Sequence, residues 1–379
     1  MKKATLSLCL LLSLLLSAPA LADDSAVFTV TDEAGGALFV IAGEVSVGDE
    51  YISRQNVLYR VTSVSGSTAA AEKIGEEPMP DVSWLDAGRA QAVFADAGGA
   101  VMAASKAAAD KQKLIAMYVT HSDESYVPTD GTESIEGQGG IYDVARAFRD
   151  ALQQKGVDVI LDESTHLPHD AGAYRRSRRT AERLLQSRPD AIIDIHRDGI
   201  PDPDEYKATI DGKSASQVRL LVGRGNQTSA VNREFAKEIK AVADKKYPGL
   251  IKDIFIGKGN YNQDLSPNAI LLEFGTHTLS KERVMASTGV MADVVSTTLY
   301  GNETASAKSA ETAAAQAKAK NKGSMAGIGV IAVVVVVGVL LFALMQTGSI
   351  RGAGEKIGRN LREMTGGLVG KRKDKDTKS

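Results

Sequence analysis

The chain has 379 residues, with 45 Lys and Arg against 47 Asp and Glu for a net charge of −2. That length can bury a large core and hold more than one domain, and so even a balance gives no electrostatic reason to expect a nucleic-acid partner. Its single cysteine, Cys9, falls in a segment expected to be removed, so a metal site in the mature chain must be made from nitrogen and oxygen.

Residues 1–22 read as a signal peptide: Met1-Lys2-Lys3, an apolar run from Leu6 to Leu16, then the small residues of Ser17 to Ala22. Residues 23–77 read as a small all-β module. Short runs such as Val27–Val30, Leu38–Ile41, Glu50–Ile52 and Val57–Val61 are separated by turn residues. No ionisable constellation stands out in it, so a structural or partner-binding role is expected. Residues 78–112, rich in Ala, Gly and Asp, form a linker.

From 113 to 300 strand-like runs alternate with helical patterns, which predicts an α/β domain with a mainly parallel sheet flanked by helices. Leu114–Val119 is a strand. Ile141, Val144, Ala145, Phe148 and Leu152 fall at helical spacing, and Val157–Leu161 is the next strand. A helix over Tyr174–Ser187 carries Arg175, Arg176, Arg178 and Arg179 on a solvated face. Ala191–Ile195 and Ala269–Leu272 have buried-strand composition, and Asn232–Lys245 and Lys281–Leu299 supply further helices. Residues 301–324 are a tether, and 325–346, with Val333–Val337 at their centre, suit a membrane-spanning helix. The tail 347–379 carries Arg351, Lys356, Arg359, Arg362 and Lys371–Lys373, so it is expected in the cytoplasm. The expectation is a single-pass cell-membrane protein whose main domain is extracytoplasmic.

The chemistry gathers at strand exits. Leu114–Val119 leads into Thr120-His121-Ser-Asp-Glu124, Ala191–Ile195 into His196-Arg197-Asp198, and Ala269–Leu272 into Glu273-Phe-Gly275. Open α/β sheets build sites along the carboxyl ends of their strands. Two imidazoles and a carboxylate, His121, His196 and Glu124, make a zinc ligand set that leaves a fourth position for water. A charged residue directly after Ile270–Leu272 is costly unless paired, ligated or used, and Glu273 is assigned as the general base. Arg197 is a candidate for an anionic group of the substrate, and Asp198 for orienting a ligand. Asn262 and Gln263, in the polar loop Tyr261–Asp264, could donate hydrogen bonds to sugar or amide groups. His169, Asp170, Tyr174 and Arg178 are candidates for the cleft wall, and His277 is an alternative ligand or transition-state donor.

The run from Tyr118 to Gly275 resembles the stage II sporulation protein P family of membrane-anchored peptidoglycan hydrolases. The resemblance is carried by Thr120–Tyr126, Ile141–Val144, Asp194-Ile-His-Arg-Asp198, Tyr247-Pro-Gly-Leu250, Tyr261–Leu265 and Leu271-Leu-Glu-Phe-Gly275. It implies a zinc-dependent N-acetylmuramoyl-L-alanine amidase cutting between muramic acid and the first residue of the stem peptide. It also implies partners in the engulfment complex: a second glycan-cutting enzyme and a membrane scaffold. Related amidases take their glutamate ligand from the start of the helix after the first strand. Here Gly139-Gly140 precede that helix, so the ligand is assigned to Glu124, with Glu136 or Glu133 as alternatives. Relatives are anchored near the N-terminus and this chain near its C-terminus, which leaves a vegetative role in division or wall turnover open beside sporulation. Two rival activities remain: a zinc endopeptidase acting on peptidoglycan peptides, and a non-catalytic wall-binding scaffold.

Overall fold

The computed structural model of the chain describes residues 26–86, 112–170 and 172–320, the part after 301 as helical backbone alone. The signal peptide (1–22), most of the linker (78–112), the membrane helix (325–346) and the basic tail (347–379) lie outside the described residues. No described helix is long and apolar enough to cross a membrane. The chain divides into two units. Of the described residues, the first holds 26–84 and 112–302; the second holds Leu85, Asp86 and the helical backbone from Glu303 to Lys320.

The first unit is built on one mixed sheet. Its N-terminal strands are β1 (Val27–Thr31), β2 (Ala37–Ala42), β3 (Glu50–Ile52), β4 (Val57–Ser65) and β5 (Thr68–Glu76). Then come β6 (Leu114–Tyr118), β7 (Asp158–Leu161), β8 (Ala191–Asp198), β9 (Lys207–Ile210), β10 (Lys213–Ser216), β11 (Val218–Gly223), β12 (Ile251–Gly257) and β13 (Ala269–Thr276). The sheet order is β2-β1-β5-β4-β3-β12-β11-β13-β8-β6-β7, and β9–β10 form a separate hairpin. The longer helices are α1 (Ile141–Gln153), α2 (Ala173–Leu185), α3 (Ser229–Lys246) and α4 (Lys281–Lys320).

The expected parallel arrangement holds for β7, β6, β8 and β13. Beyond them it fails, because β11 runs antiparallel to β13. Between β8 and β11 the chain makes one short 3-10 turn (Pro203–Glu205) and the β9–β10 hairpin, with no crossover α-helix to carry it back to the opposite edge, so the next strand runs in reverse. The N-terminal strands form close to the expected positions, but they are no separate module. β3 pairs antiparallel with β12 and continues the same sheet. The physical reason is that an open edge of buried strand is costly, and every residue of β12 is buried. Charge pairs reinforce the seam: Arg224–Asp49 at 2.8 Å, Arg233–Glu77 at 3.0 Å and Lys237–Glu77 at 3.0 Å.

The core follows the apolar periodicity. α1 buries Ile141, Val144, Ala145, Phe148 and Leu152, and the Phe148 ring lies 5.4 Å from that of Phe274 on β13. Full burial of one such ring is worth about 1.5–3 kcal/mol. At the other end of the sheet, Phe39, Ile41 and Tyr51 of the N-terminal strands share a cluster with Leu221, Phe255 and Leu271. One core therefore runs across the seam.

Candidate metal centre and active site

Side chains alternate along a strand, so Asp194, His196 and Asp198 of β8 share a face. In the sheet register Glu273 of β13 lies opposite His196 on one side and opposite Arg219 of β11 on the other. His121 and Glu124 arrive from the loop after β6. That loop is held by the α1 start, where Ile141 N donates to Glu124 O at 3.0 Å and Gly139 N to Ser122 O at 3.0 Å. Gly139 is required by contact: a Cβ there would lie 2.4 Å from Glu124 O and 2.6 Å from the Asp123 carbonyl carbon.

His121, Glu124 and His196 offer ligand atoms within 4.8 Å of one another. Glu124 Oε1 lies 3.2 Å from His121 Nδ1 and 3.4 Å from His196 Nδ1. Tetrahedral zinc, with bonds of about 2.0–2.1 Å, sets neighbouring ligand atoms roughly 3.3 Å apart, so both spacings from Glu124 suit that ion. The other oxygen, Oε2, accepts from Arg197 N at 2.9 Å, which turns Oε1 toward the imidazoles. Nε2 of both histidines is buried without a hydrogen-bond partner. That of His196 lies 3.1 Å from Asp194 Oδ1 as an ion pair. The alternatives Glu133 and Glu136 are exposed.

Burial keeps His121 below its ordinary pKa, against the pull of Glu124, so its imidazole is neutral and able to ligate. Burial also opposes charge on His196, but Asp194 and Glu124 outweigh it and push the value up to about 10. Glu124 resists ionisation through burial, yet His196, His121 and Arg197 hold its carboxyl well below the usual range. A proton and a metal ion therefore compete for His196.

The three candidate ligands and Glu273 line one cleft of about 530 Å³. Burial, then the charge of Asp198, pushes Glu273 up to about 8, against Arg219, Tyr206 and His196. A carboxyl that titrates near neutrality suits a group that must take and return a proton. Tyr206 OH lies 3.0 Å from Glu273 Oε2 and 2.9 Å from Asp198 Oδ2. One hydroxyl hydrogen cannot serve two carboxylates. Donated to Glu273, it leaves Asp198 to be satisfied by Arg219 and by Ala42 N.

The remaining predicted residues divide. Arg197 lines the cleft, but its guanidinium is spent on the carbonyls of Ser125, Glu133 and Asp198, so it staples the ligand loop. Asn262 lines the cleft and donates to Tyr174 O and Ser177 Oγ. Gln263 is buried away from the cleft wall, its amide on Gly223 N and Leu221 O. Asp198 faces Arg219 and Tyr206 rather than a ligand. Arg178 lines the cleft but pairs bidentately with Asp264. Asp170, outside the lining, pairs with Arg176 at 2.6 Å. His277 lies outside the lining too, 3.8 Å from Glu133. His169 stacks on His121 at 4.0 Å while Asp123 holds its Nδ1 at 2.9 Å, and Tyr174 stands edge-on to His121 at 5.4 Å. Sequence reading missed Tyr206 and Arg219. A charge inside the apolar run Val218–Val222 was the available signal for Arg219; Tyr206 had none. It also missed the cleft wall formed by Ile41–Glu44, at the end of β2 and beyond it.

Residues 60–296 match the family described as stage II sporulation protein P. Stage II sporulation protein P of Bacillus subtilis (strain 168) is 32% identical over 220 residues, 53% of this chain and 55% of that protein. The chain thus spans about half the length of the curated relative it matches. Among solved structures, amidase AmiC2 of Nostoc punctiforme is 14% identical, covering 50% of this chain and 97% of its own, with a TM-score of 0.32. Ami1 of Mycobacterium smegmatis gives 18%, 51%, 97% and 0.33. The CwlD amidase of Clostridioides difficile, in complex with the GerS lipoprotein, gives 13%, 50%, 98% and 0.33.

Proposed function

The chain belongs to the stage II sporulation protein P family, and from that premise we propose that it is a zinc-dependent N-acetylmuramoyl-L-alanine amidase acting on peptidoglycan. One observation carries the reading: His121, Glu124 and His196 converge in the cleft that also holds Glu273, a carboxyl with a raised pKa. Zinc held by those three residues would polarise the scissile carbonyl and help ionise water. Glu273 takes a proton from the attacking water as its oxygen bonds to the carbonyl carbon. It returns that proton to the amide nitrogen as the carbon–nitrogen bond breaks, so the base is regenerated. Tyr174 and His169 wall the ligands on the cleft side and restrict water. The same proposal has the cleft working outside the cytoplasmic membrane, from the signal-like start and residues 325–346, with engulfment proteins as partners.

The test is to digest purified peptidoglycan with the full-length chain, with and without zinc, and to identify the fragments by mass. Free stem peptides beside intact glycan, released only with zinc, support the amidase. Fragments cut within the peptides would move the activity to endopeptidase. No release by the zinc-loaded protein would favour a wall-binding scaffold.

A further inference from the structure

Glu273 is well placed to act only if its carboxylate is held at one angle to the cleft. Packing alone does not secure this, since the cleft leaves one side of the group open. Among the described residues one hydrogen bond reaches its side chain, from the hydroxyl of Tyr206 to Oε2 at 3.0 Å. A guanidinium nitrogen, Arg219 Nη1, is 3.7 Å from the same oxygen and is committed to Asp198 at 2.8 Å.

Tyr206 itself has no freedom to wander. It is fully buried, and two cations pack on its ring, Lys252 at 5.0 Å and the Arg219 guanidinium at 5.9 Å from the centroid. Its backbone N donates to Pro203 O, and its carbonyl accepts from Gln217 N. Its hydroxyl also meets Asp198 Oδ2 at 2.9 Å. Asp198 is fixed in turn by Arg219 and by Ala42 N of β2 at 3.2 Å, and Arg219 reaches Val40 O of that strand at 3.0 Å. A chain of contacts thus runs from the N-terminal strands to the proposed base.

We propose that Tyr206 is a positioning residue for the proposed hydrolysis: its hydroxyl anchors Oε2 of Glu273 and leaves the other oxygen to serve the cleft. This rests on the amidase reading for the reaction, but the orientation it asserts can be read without any reaction.

The experiment compares the full chain with Tyr206→Phe, which removes only the hydroxyl. Crystal structures, zinc content and steady-state kinetics are measured on both. The expected result is unchanged zinc content and KM, a kcat lower by about a hundredfold, and a Glu273 carboxylate that rotates or spreads over several conformers. Tyr206→4-aminophenylalanine, which keeps a donor on the ring, should recover much of the lost kcat and restore the orientation. A Glu273 that keeps its angle in Tyr206→Phe overturns the proposal, as does an unchanged kcat or a loss confined to KM. An amine variant no better than Tyr206→Phe overturns it too, and serves if Tyr206→Phe folds poorly. If the wild type releases nothing while Glu273 is ordered beside Tyr206 and disordered beside phenylalanine, the amidase reading fails and the positioning stands.

Discussion

Glu273 has His196 across from it on one strand and Arg219 on the other, so one carboxylate answers to two different positive environments. Glu273→Gln keeps its shape and removes its basicity. Hydrolysis should fall by about 10²–10⁴-fold while zinc content, measured by metal analysis, stays at the wild-type level. Arg219 is a different kind of residue: a fully buried guanidinium that compensates Asp198 and Asp253 together. Arg219→Ala strands both carboxylates, and urea unfolding should show a loss of about 3–5 kcal/mol. The convergence of His121, His196 and Glu273 was legible because each is an ionisable residue where an apolar run ends, and that of Glu124 from its spacing three residues after His121. Tyr206 and Gln263 lacked such a context. Their roles depend on which distant strand they meet, and local spacing does not encode that.

Elements carry the next set of constraints. The loop from His121 to Glu124 passes so close to the α1 start that position 139 has no room for a side chain. Gly139→Ala must move backbone that carries Glu124, and zinc affinity, by competition with a chromophoric chelator, should weaken by about tenfold or more. A second constraint joins helix ends. Asp293 of α4 binds Lys155 beyond α1, Lys246 at the end of α3 and the Tyr247 hydroxyl. Burial works against its charge, but the two lysines hold its pKa below the usual 3.8. For an acid with a depressed folded pKa, the stabilisation is present above the unfolded value and is lost as pH falls through the folded one. Asp293→Asn should therefore lower the melting temperature at pH 7, and the gap from wild type should close in strong acid, as a calorimetric pH series would show. Helix faces and the parallel strands could be read from periodicity. The antiparallel return of β11 could not, because the direction of a strand depends on the connection before it rather than on its own residues.

At the scale of the whole molecule, residues 26–76 and the strands that carry the candidate site share one sheet and one core. Deleting residues 26–77 would bare the edge of β12 and strip Ala42 and Val40 from Asp198 and Arg219. Thermal melts followed by circular dichroism should be cooperative for the parent chain and lose that cooperativity in the truncated one. Zinc should act in the opposite sense: at a free concentration a hundred times its dissociation constant it adds about 2.7 kcal/mol, and a chelator should lower the melting temperature reversibly. Division between sheet and loop also separates two quantities. His196 and Glu273 are tied by neighbouring strands in register, so their separation is as hard to alter as the sheet. Glu124 comes on a loop pinned only by Arg197 and the start of α1. Loosening those pins should therefore change how firmly an ion is held while the spacing between the proposed base and His196 keeps its value.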